Sequence, residues 1–136
     1  MRAAFIISGV IVALGLCAPA QAERQRRVVA MDYAKVDLQA LANQVASTAR
    51  RCWLTRTPDL GHFKFERVER GADASSFRVV FSDSVKSKLL LPRHFEMIVS
   101  TSGPATLITV EQEGIDFLDA IGRDAETLIK GRVVTC

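Results

Sequence analysis

The two histidines of this chain are its only side chains suited to acid–base chemistry near neutral pH. His62 and His94 each precede a phenylalanine at the start of a segment with strand-like alternation. In an up-and-down sheet these two strands run parallel, so both histidines lie at the same end, about 9 to 10 Å apart across two strand spacings. That separation is too wide for a shared metal ion without further ligands, for which Asp59 and Glu96 are the nearest candidates. The pattern otherwise predicts solvated histidines at strand ends.

Other catalytic signatures are missing from the sequence. It contains no G-x-S-x-G elbow, no H-E-x-x-H motif and no Gly-rich phosphate loop. Four acidic residues cluster near a predicted strand-to-helix connection, where the helix dipole favours negative charge: Glu111, Glu113, Asp116 and Asp119. We therefore assign no catalytic, cofactor-binding or metal-binding residue, and the sequence predicts a protein that is not an enzyme.

The most distinctive short motif is a pair of arginines followed by Cys52 and Trp53. In a structural interpretation Trp53 covers the core beside Cys52 while the arginines face solvent. In a functional interpretation the motif faces a partner, because exposed Trp and Arg dominate interface energetics. With two basic residues on the open sheet face added, the candidate partner-binding residues are Arg50, Arg51, Trp53, Lys64 and Arg78.

The sequence around this motif resembles small exported bacterial domains of unassigned function. A helix, the Arg-Cys-Trp string and a Phe-rich strand carry the resemblance, over residues 38–81. The resemblance implies an exported domain and brings no catalytic residues with it.

The N-terminus has the features of a secretory signal peptide. Arg2 precedes an apolar run over residues 3–16, and an Ala-Gln-Ala triplet ends at Ala22. The run is shorter than the roughly 20 residues of a membrane-spanning helix, so we predict cleavage after Ala22 and a periplasmic or secreted protein. Two alternatives are an uncleaved signal anchor and lipidation at Cys17, although Leu16 is larger than the residue that lipoprotein processing requires before the cysteine.

The charge of the chain is close to balanced. Removing the leader with its one arginine leaves 17 Lys and Arg against 15 Asp and Glu, a net charge of +2. The charges alternate in sign over residues 64–70, unlike the concentrated basic face of nucleic-acid binders, so no nucleic-acid partner is expected. A flexible basic arm is predicted over residues 23–31, and its Arg24, Arg26 and Arg27 allow at most peripheral membrane contact.

The cysteines predict one disulfide. Cys17 leaves with the predicted leader, so Cys52 and Cys136 remain as an even pair in an oxidising compartment. A bond between them closes a loop of about 85 residues and stabilises the fold by roughly 4 kcal/mol in the chain-entropy model. The alternatives are two free thiols, or a redox or metal role for which no C-x-x-C spacing is present.

Apolar residues recur with helical spacing in two segments. The first covers residues 38–53, with Asp32 as a candidate N-cap and Pro58 as a stop. The second begins near Asp116 and ends at Gly131, a residue type favoured just after a helix.

Between the helices the apolar period changes to two, which predicts strands. The first hairpin turns at residues 71–76, and its predicted core residues are Phe65, Phe77, Val79 and Phe81. The second hairpin pairs residues 94–101 with residues 105–112 across a Ser-Gly-Pro turn. Residues 82–93 are compatible with a loop, a short helix or an edge strand.

These elements predict an α+β two-layer sandwich in the order α-β-β-β-β-α. One four-stranded antiparallel sheet carries the N- and C-terminal helices on one face, in a single domain over residues 32–136 that follows a signal peptide over residues 1–22. We predict an exported binding module for a protein or envelope component. The alternatives are a secreted effector acting on a host partner, and an apolar-ligand carrier or cryptic enzyme with a cavity lined by Phe81, Met97 and Leu118.

Overall fold

The computed structural model describes residues 24–84, 94–114, 116 and 118–136. It has an α+β fold, in which one antiparallel sheet has the strand order β1-β5-β4-β3-β2 and two long helices cover one of its faces. The strands are β1 (Gln25–Asp32), β2 (Phe63–Arg70), β3 (Ser76–Asp83), β4 (His94–Ser102) and β5 (Ala105–Glu113), and the helices are α1 (Leu38–Thr48), α2 (Leu54–Arg56) and α3 (Asp119–Ile129). The predicted signal peptide, and residues 85–93 of the connection left open above, lie outside the described residues.

Within the described residues the sheet has five strands rather than four, because the predicted flexible arm forms the edge strand β1. Its residues pair antiparallel with β5, from Gln25 opposite Gln112 to Asp32 opposite Thr106. An edge strand has one neighbouring strand and tolerates charged side chains. A basic segment whose sequence predicts a flexible arm can therefore still form the last strand of the sheet. From residue 24 onward, the element order therefore begins with a strand and not with a helix.

The first helix begins later than Asp32. The carboxylate of Asp37 accepts a hydrogen bond from the Ala40 amide at 3.1 Å and caps the N-terminus of α1. Asp32 belongs instead to β1, and its carboxylate accepts from the amide of Ala34. After α1 the chain continues through a single π-helical turn, Ala49–Trp53, so the predicted helical segment is present with one local widening.

The last helix, α3, ends just before Gly131, as the sequence predicts. Gly131 has a φ of 74°, and its amide donates to the Leu128 carbonyl at 2.9 Å. The Arg132 amide donates to the Thr127 carbonyl at 3.0 Å, which completes a Schellman motif. This turn directs the C-terminal tail back across the helices, and the tail buries Val134.

The predicted disulfide is confirmed between Cys52 and Cys136. Their Cα atoms are 5.5 Å apart and 84 positions separate them in sequence. Cys52 is buried in the π-helical turn, so the bond ties the end of the chain to the helical layer. A disulfide of this kind is typical of proteins outside the cytosol.

The core lies between the helices and the sheet face that they cover. Of the four residues predicted from the first hairpin, Val79 and Phe81 are buried, and Phe65 and Phe77 pack against the core while partly exposed. The ring of Phe95 lies 5.0 Å from that of Phe81 between centroids. Side chains alternate between the two faces along a strand, so the residues between these core positions point to the opposite face of the sheet.

Candidate functional site

Charged side chains from four strands meet on the sheet face that the helices leave open. His94 and Glu96 are two positions apart on β4, and Glu111 of β5 is directly opposite Glu96. Arg26 of β1 is opposite Glu111, and Arg78 of β3 reaches Glu96 from the other side. We call these five residues the charged cluster.

Each carboxylate of the charged cluster is held by one guanidinium. Arg26 donates to Oε2 of Glu111 from Nε at 3.1 Å and from Nη2 at 2.6 Å. Arg78 donates from Nε to Oε1 of Glu96 at 3.1 Å and from Nη2 to Oε2 at 2.5 Å. Glu96 is 3% exposed and Glu111 is 7% exposed. Ionised groups so deeply buried persist only when they are paired in this way.

The guanidinium groups lie on the solvent side of the carboxylates. The side chains of Arg26 and Arg78 are 66% and 41% exposed. Arg24 approaches Oε1 of Glu111 at 3.2 Å from the edge of the sheet, and Glu69 approaches Arg78 at the same distance. In the two pairs of the charged cluster the carboxylates are therefore buried and the guanidinium groups are presented to solvent.

These contacts shift two pKa values. Burial raises the pKa of Glu111, but the hydrogen bonds and charge of Arg26, together with the weaker effect of other nearby charges, hold that pKa below its ordinary value of 4.5. The hydrogen bonds to Glu96, set against a smaller opposing effect of burial, raise the pKa of Arg78 above its ordinary value. Both groups therefore stay ionised at neutral pH.

A hollow of about 430 Å³ lies beside the charged cluster. Its floor consists of short or medium side chains from the central strands, and the β2–β3 turn at residues 71–73 forms one wall. That turn passes so close to β3 that a Cβ added at Gly71 would overlap Oγ of Ser76. The floor and wall residues are Ser76, Ile98, Ser100, Thr109, Gly71, Ala72 and Asp73.

His94 stands at the end of the charged cluster with an unsatisfied nitrogen. Its Nε2 is buried, has no hydrogen-bond partner and faces the two carboxylates. The atom lies 3.4 Å from Oε1 of Glu111 and 3.9 Å from Oε2 of Glu96. One ligand atom from each of these three residues lies within 4.8 Å of the others, which is a spacing that a metal ion can bridge.

The structure rearranges the ligand groups considered from sequence. Of the two candidate extra ligands, Glu96 lies with His94, whereas Asp59 lies in the 3-10 turn Pro58–Leu60 and is not a member of the group. Glu111 lies within β5, inside the strand predicted over residues 105–112. His62 packs its ring against Phe63 at 4.4 Å and has its Nε2 3.9 Å from Asp83.

The candidate partner-binding residues do not form one surface. Trp53 is buried in the core, where its Nε1 donates to Oδ2 of Asp124 at 2.8 Å, which agrees with the structural interpretation of the motif and leaves Trp53 almost no surface for a partner. Arg50 and Arg51 are exposed in the helical layer, and the Arg50 guanidinium lies 5.6 Å from the centre of the Phe65 ring. Lys64 and Arg78 lie on the open face, and only Arg78 belongs to the charged cluster.

The sequence indicates part of the charged cluster, provided that the pairing register of β4 with β5 is known. Gly103 has a φ of 58° at the first position of a two-residue turn, so Ser102 pairs with Ala105. Counting outward from that pair places Glu96 opposite Glu111. Arg26 and Arg78, by contrast, come from β1 and β3. The tight turn at Gly103 does not set the pairing of β1 with β5 or of β3 with β4.

A second hollow, of about 440 Å³, lies between α1 and the end of α3. Val36, Leu41 and Leu128 contribute its apolar lining. The residues predicted to line a ligand cavity do not border either hollow, and Phe81 and Met97 are packed into the core.

No protein-family model, curated protein or solved structure matches the chain. Among the described residues, no helix has the length and apolar character needed to cross a membrane.

Proposed function

We propose that the protein is an exported binding module whose open sheet face receives an acidic segment of a partner protein. The observation that carries the proposal is the layering of charge in the hollow, where Arg26 and Arg78 reach solvent above two buried carboxylates. An acidic side chain entering the hollow meets the two guanidinium groups before it meets the carboxylates beneath them, and Asp73 on the wall is the exposed negative charge that it has to avoid.

The arginines retain capacity for a further carboxylate. Arg26 uses two of its five N–H donors, one on Nε and one on Nη2, in hydrogen bonds to Glu111. Guanidinium groups bind carboxylates through parallel hydrogen bonds and are frequent at the centres of protein interfaces. Glu111 and Glu96 hold the two guanidinium groups in fixed positions, which lowers the entropy cost of binding.

Stability alone does not account for this arrangement. Replacing a buried ion pair by well-packed apolar residues is often neutral or stabilising. A face built from two such pairs therefore fits a role in recognition better than a role in folding.

Two further observations support export. The disulfide between Cys52 and Cys136 suits an oxidising compartment. β1 begins at Gln25, just beyond the predicted cleavage site after Ala22, so cleavage there leaves the edge strand and its pairing with β5 intact.

The test is the binding of a fluorescent oligoglutamate peptide to the mature protein, measured by anisotropy at several salt concentrations. We expect binding that weakens with salt, because the attraction is between charges, and a loss of at least about fivefold in R26Q, within the range of an interface hot spot. The matched control is R51Q, which removes the same charge from the helical layer and should bind normally.

Three results would overturn the proposal. Equal losses in R26Q and R51Q would show a non-specific charge effect. Undetectable binding of the peptide by the folded protein would show that the ligand is not an acidic segment. Binding to vesicles of anionic lipid with no binding to the peptide would reassign the surface to a membrane.

A further inference from the structure

We infer that His94, Glu96 and Glu111 form a binding site for a divalent transition-metal ion of the zinc type. The inference goes beyond the proposed function and does not depend on it, since the acidic segment is assigned to the guanidinium groups. It depends on the positions of three ligand atoms and on the surroundings of His94.

The separation of the ligand atoms matches metal coordination. Zinc lies about 2.0–2.2 Å from His nitrogen and carboxylate oxygen in tetrahedral sites, so two of its ligand atoms are about 3.4 Å apart. Nε2 of His94 and Oε1 of Glu111 are 3.4 Å apart. Oε2 of Glu96 is 3.9 Å from the same nitrogen, and a small side-chain rotation closes that difference.

The unsatisfied nitrogen of His94 points to a missing partner. Buried polar atoms in proteins almost always have a hydrogen-bond partner. The Nε2 atom of His94 is buried without one, although the side chain as a whole is 25% exposed and open to an entering ion. A metal ion between this nitrogen and the carboxylates would satisfy the atom.

The arginines act as outer supports for the carboxylate ligands. Carboxylates that bind a metal are usually held by hydrogen bonds from a second layer of residues. Arg26 holds Oε2 of Glu111 and leaves Oε1 directed toward His94. Arg78 holds both oxygens of Glu96, so a metal ion has to share Oε2 with that guanidinium.

Arg24 competes with the proposed ion. Its Nη1 lies 3.2 Å from Oε1 of Glu111, the oxygen assigned to the metal, and its side chain is 55% exposed. Only the Arg24 end of this pair is exposed, and Arg24 makes no described hydrogen bond to Glu111, so a dication can displace it. Removing that charge should therefore tighten metal binding.

The ligand types select the metal class. One imidazole with two carboxylates suits zinc and its neighbours among the transition metals, whereas calcium and magnesium prefer oxygen ligands throughout. Three protein ligands also leave at least one coordination position open.

The test uses untagged mature protein titrated with Zn²⁺ by calorimetry and with Co²⁺ by visible absorption. We expect one ion per chain, and a loss of at least about tenfold in affinity, the scale of effects at metal sites, in H94A and in E111Q. The matched control is H62A, which removes the other histidine and should bind normally. R24A should bind more tightly than the unmodified protein.

The inference is overturned if H94A binds as well as the unmodified protein, if H62A loses binding as much as H94A, or if the folded protein takes up no ion. H94A keeps both carboxylate–guanidinium pairs, so it tests the site without removing the supports of the fold. H94A should also bind the oligoglutamate peptide normally, which separates failure of the metal site from failure of the proposed function.

Discussion

Glu96 and Glu111 are direct neighbours across β4 and β5, and both are almost fully buried on the sheet face that no described helix covers. Like charges directly opposite each other destabilise an antiparallel pair. Arg26 and Arg78 stand on the outer sides of the two carboxylates and compensate this repulsion. The open face therefore depends on each guanidinium being in place.

Replacing Arg78 by Met should destabilise the protein by about 2–3 kcal/mol. The loss is below the 3–5 kcal/mol of fully buried pairs because the Arg78 side chain is 41% exposed. Urea unfolding measures the change, and the double variant R78M/E96M should recover most of it. R67M, which removes an exposed arginine on β2, should leave the unfolding free energy unchanged. If R78M is as stable as the unmodified protein, the pair of Arg78 with Glu96 does not stabilise the fold.

Acid should remove the contribution of Glu111 to stability. Its pKa in the folded protein lies below the ordinary value of 4.5, so the folded state binds the proton less readily than the unfolded state. The contribution is therefore fully present above about pH 4.5 and is lost as pH falls through the lowered pKa. Unfolding free energies of the unmodified protein and of E111Q between pH 3 and 6, in steps of roughly half a unit, measure this effect.

The curve of E111Q should be flatter than that of the unmodified protein in this acidic range. R26Q should flatten it as well, because Arg26 is the main group that lowers the pKa. Parallel curves for all three proteins would show that Glu111 does not couple to folding.

Breaking the disulfide should cost about 2–4 kcal/mol, because the bond restricts a loop of 84 positions in the unfolded chain. C136S in urea unfolding measures the cost. In the unmodified protein, denatured without reductant, neither Cys52 nor Cys136 should react with an alkylating reagent. Alkylation of both would show that the bond does not form.

Truncating Phe81 to Ala should cost about 3–5 kcal/mol, since its ring is buried among other aromatic rings of the core. V133A is the control, because Val133 is exposed in the C-terminal tail and its truncation should change stability by less than about 0.5 kcal/mol. Chemical unfolding of both variants tests the assignment of the sheet faces. A cost below about 1 kcal/mol for F81A would place the core elsewhere.

Local patterns were sufficient for much of the fold. Helical periodicity located α1 and α3, alternation located the two hairpins, and Gly131 marked the end of the last helix. Each of these signals acts over a few residues, since hydrogen bonds and side-chain faces repeat within one turn or one strand. Once Cys17 is assigned to the predicted leader, the two remaining cysteines admit one pairing, so the disulfide also followed from the sequence.

Long-range pairing decided what local patterns left open. Residues 25–32 carry three charges and look like an arm, and their strand state depends on β5, more than seventy positions away. Helical spacing already places Trp53 on the buried stripe, but its hydrogen bond to Asp124 of the last helix depends on the tertiary structure.

The sequence by itself determined the helices, the hairpins and the covalent bond, whereas only the tertiary structure decided the charged cluster. His94 and Glu96 share a face by strand parity alone, and Glu111 joins them through the register of one tight turn. Arg26 and Arg78 arrive from strands on either side of that hairpin. Their contribution depends on strand order across the sheet, which is fixed by burial of the whole core and not by any local pattern of residues.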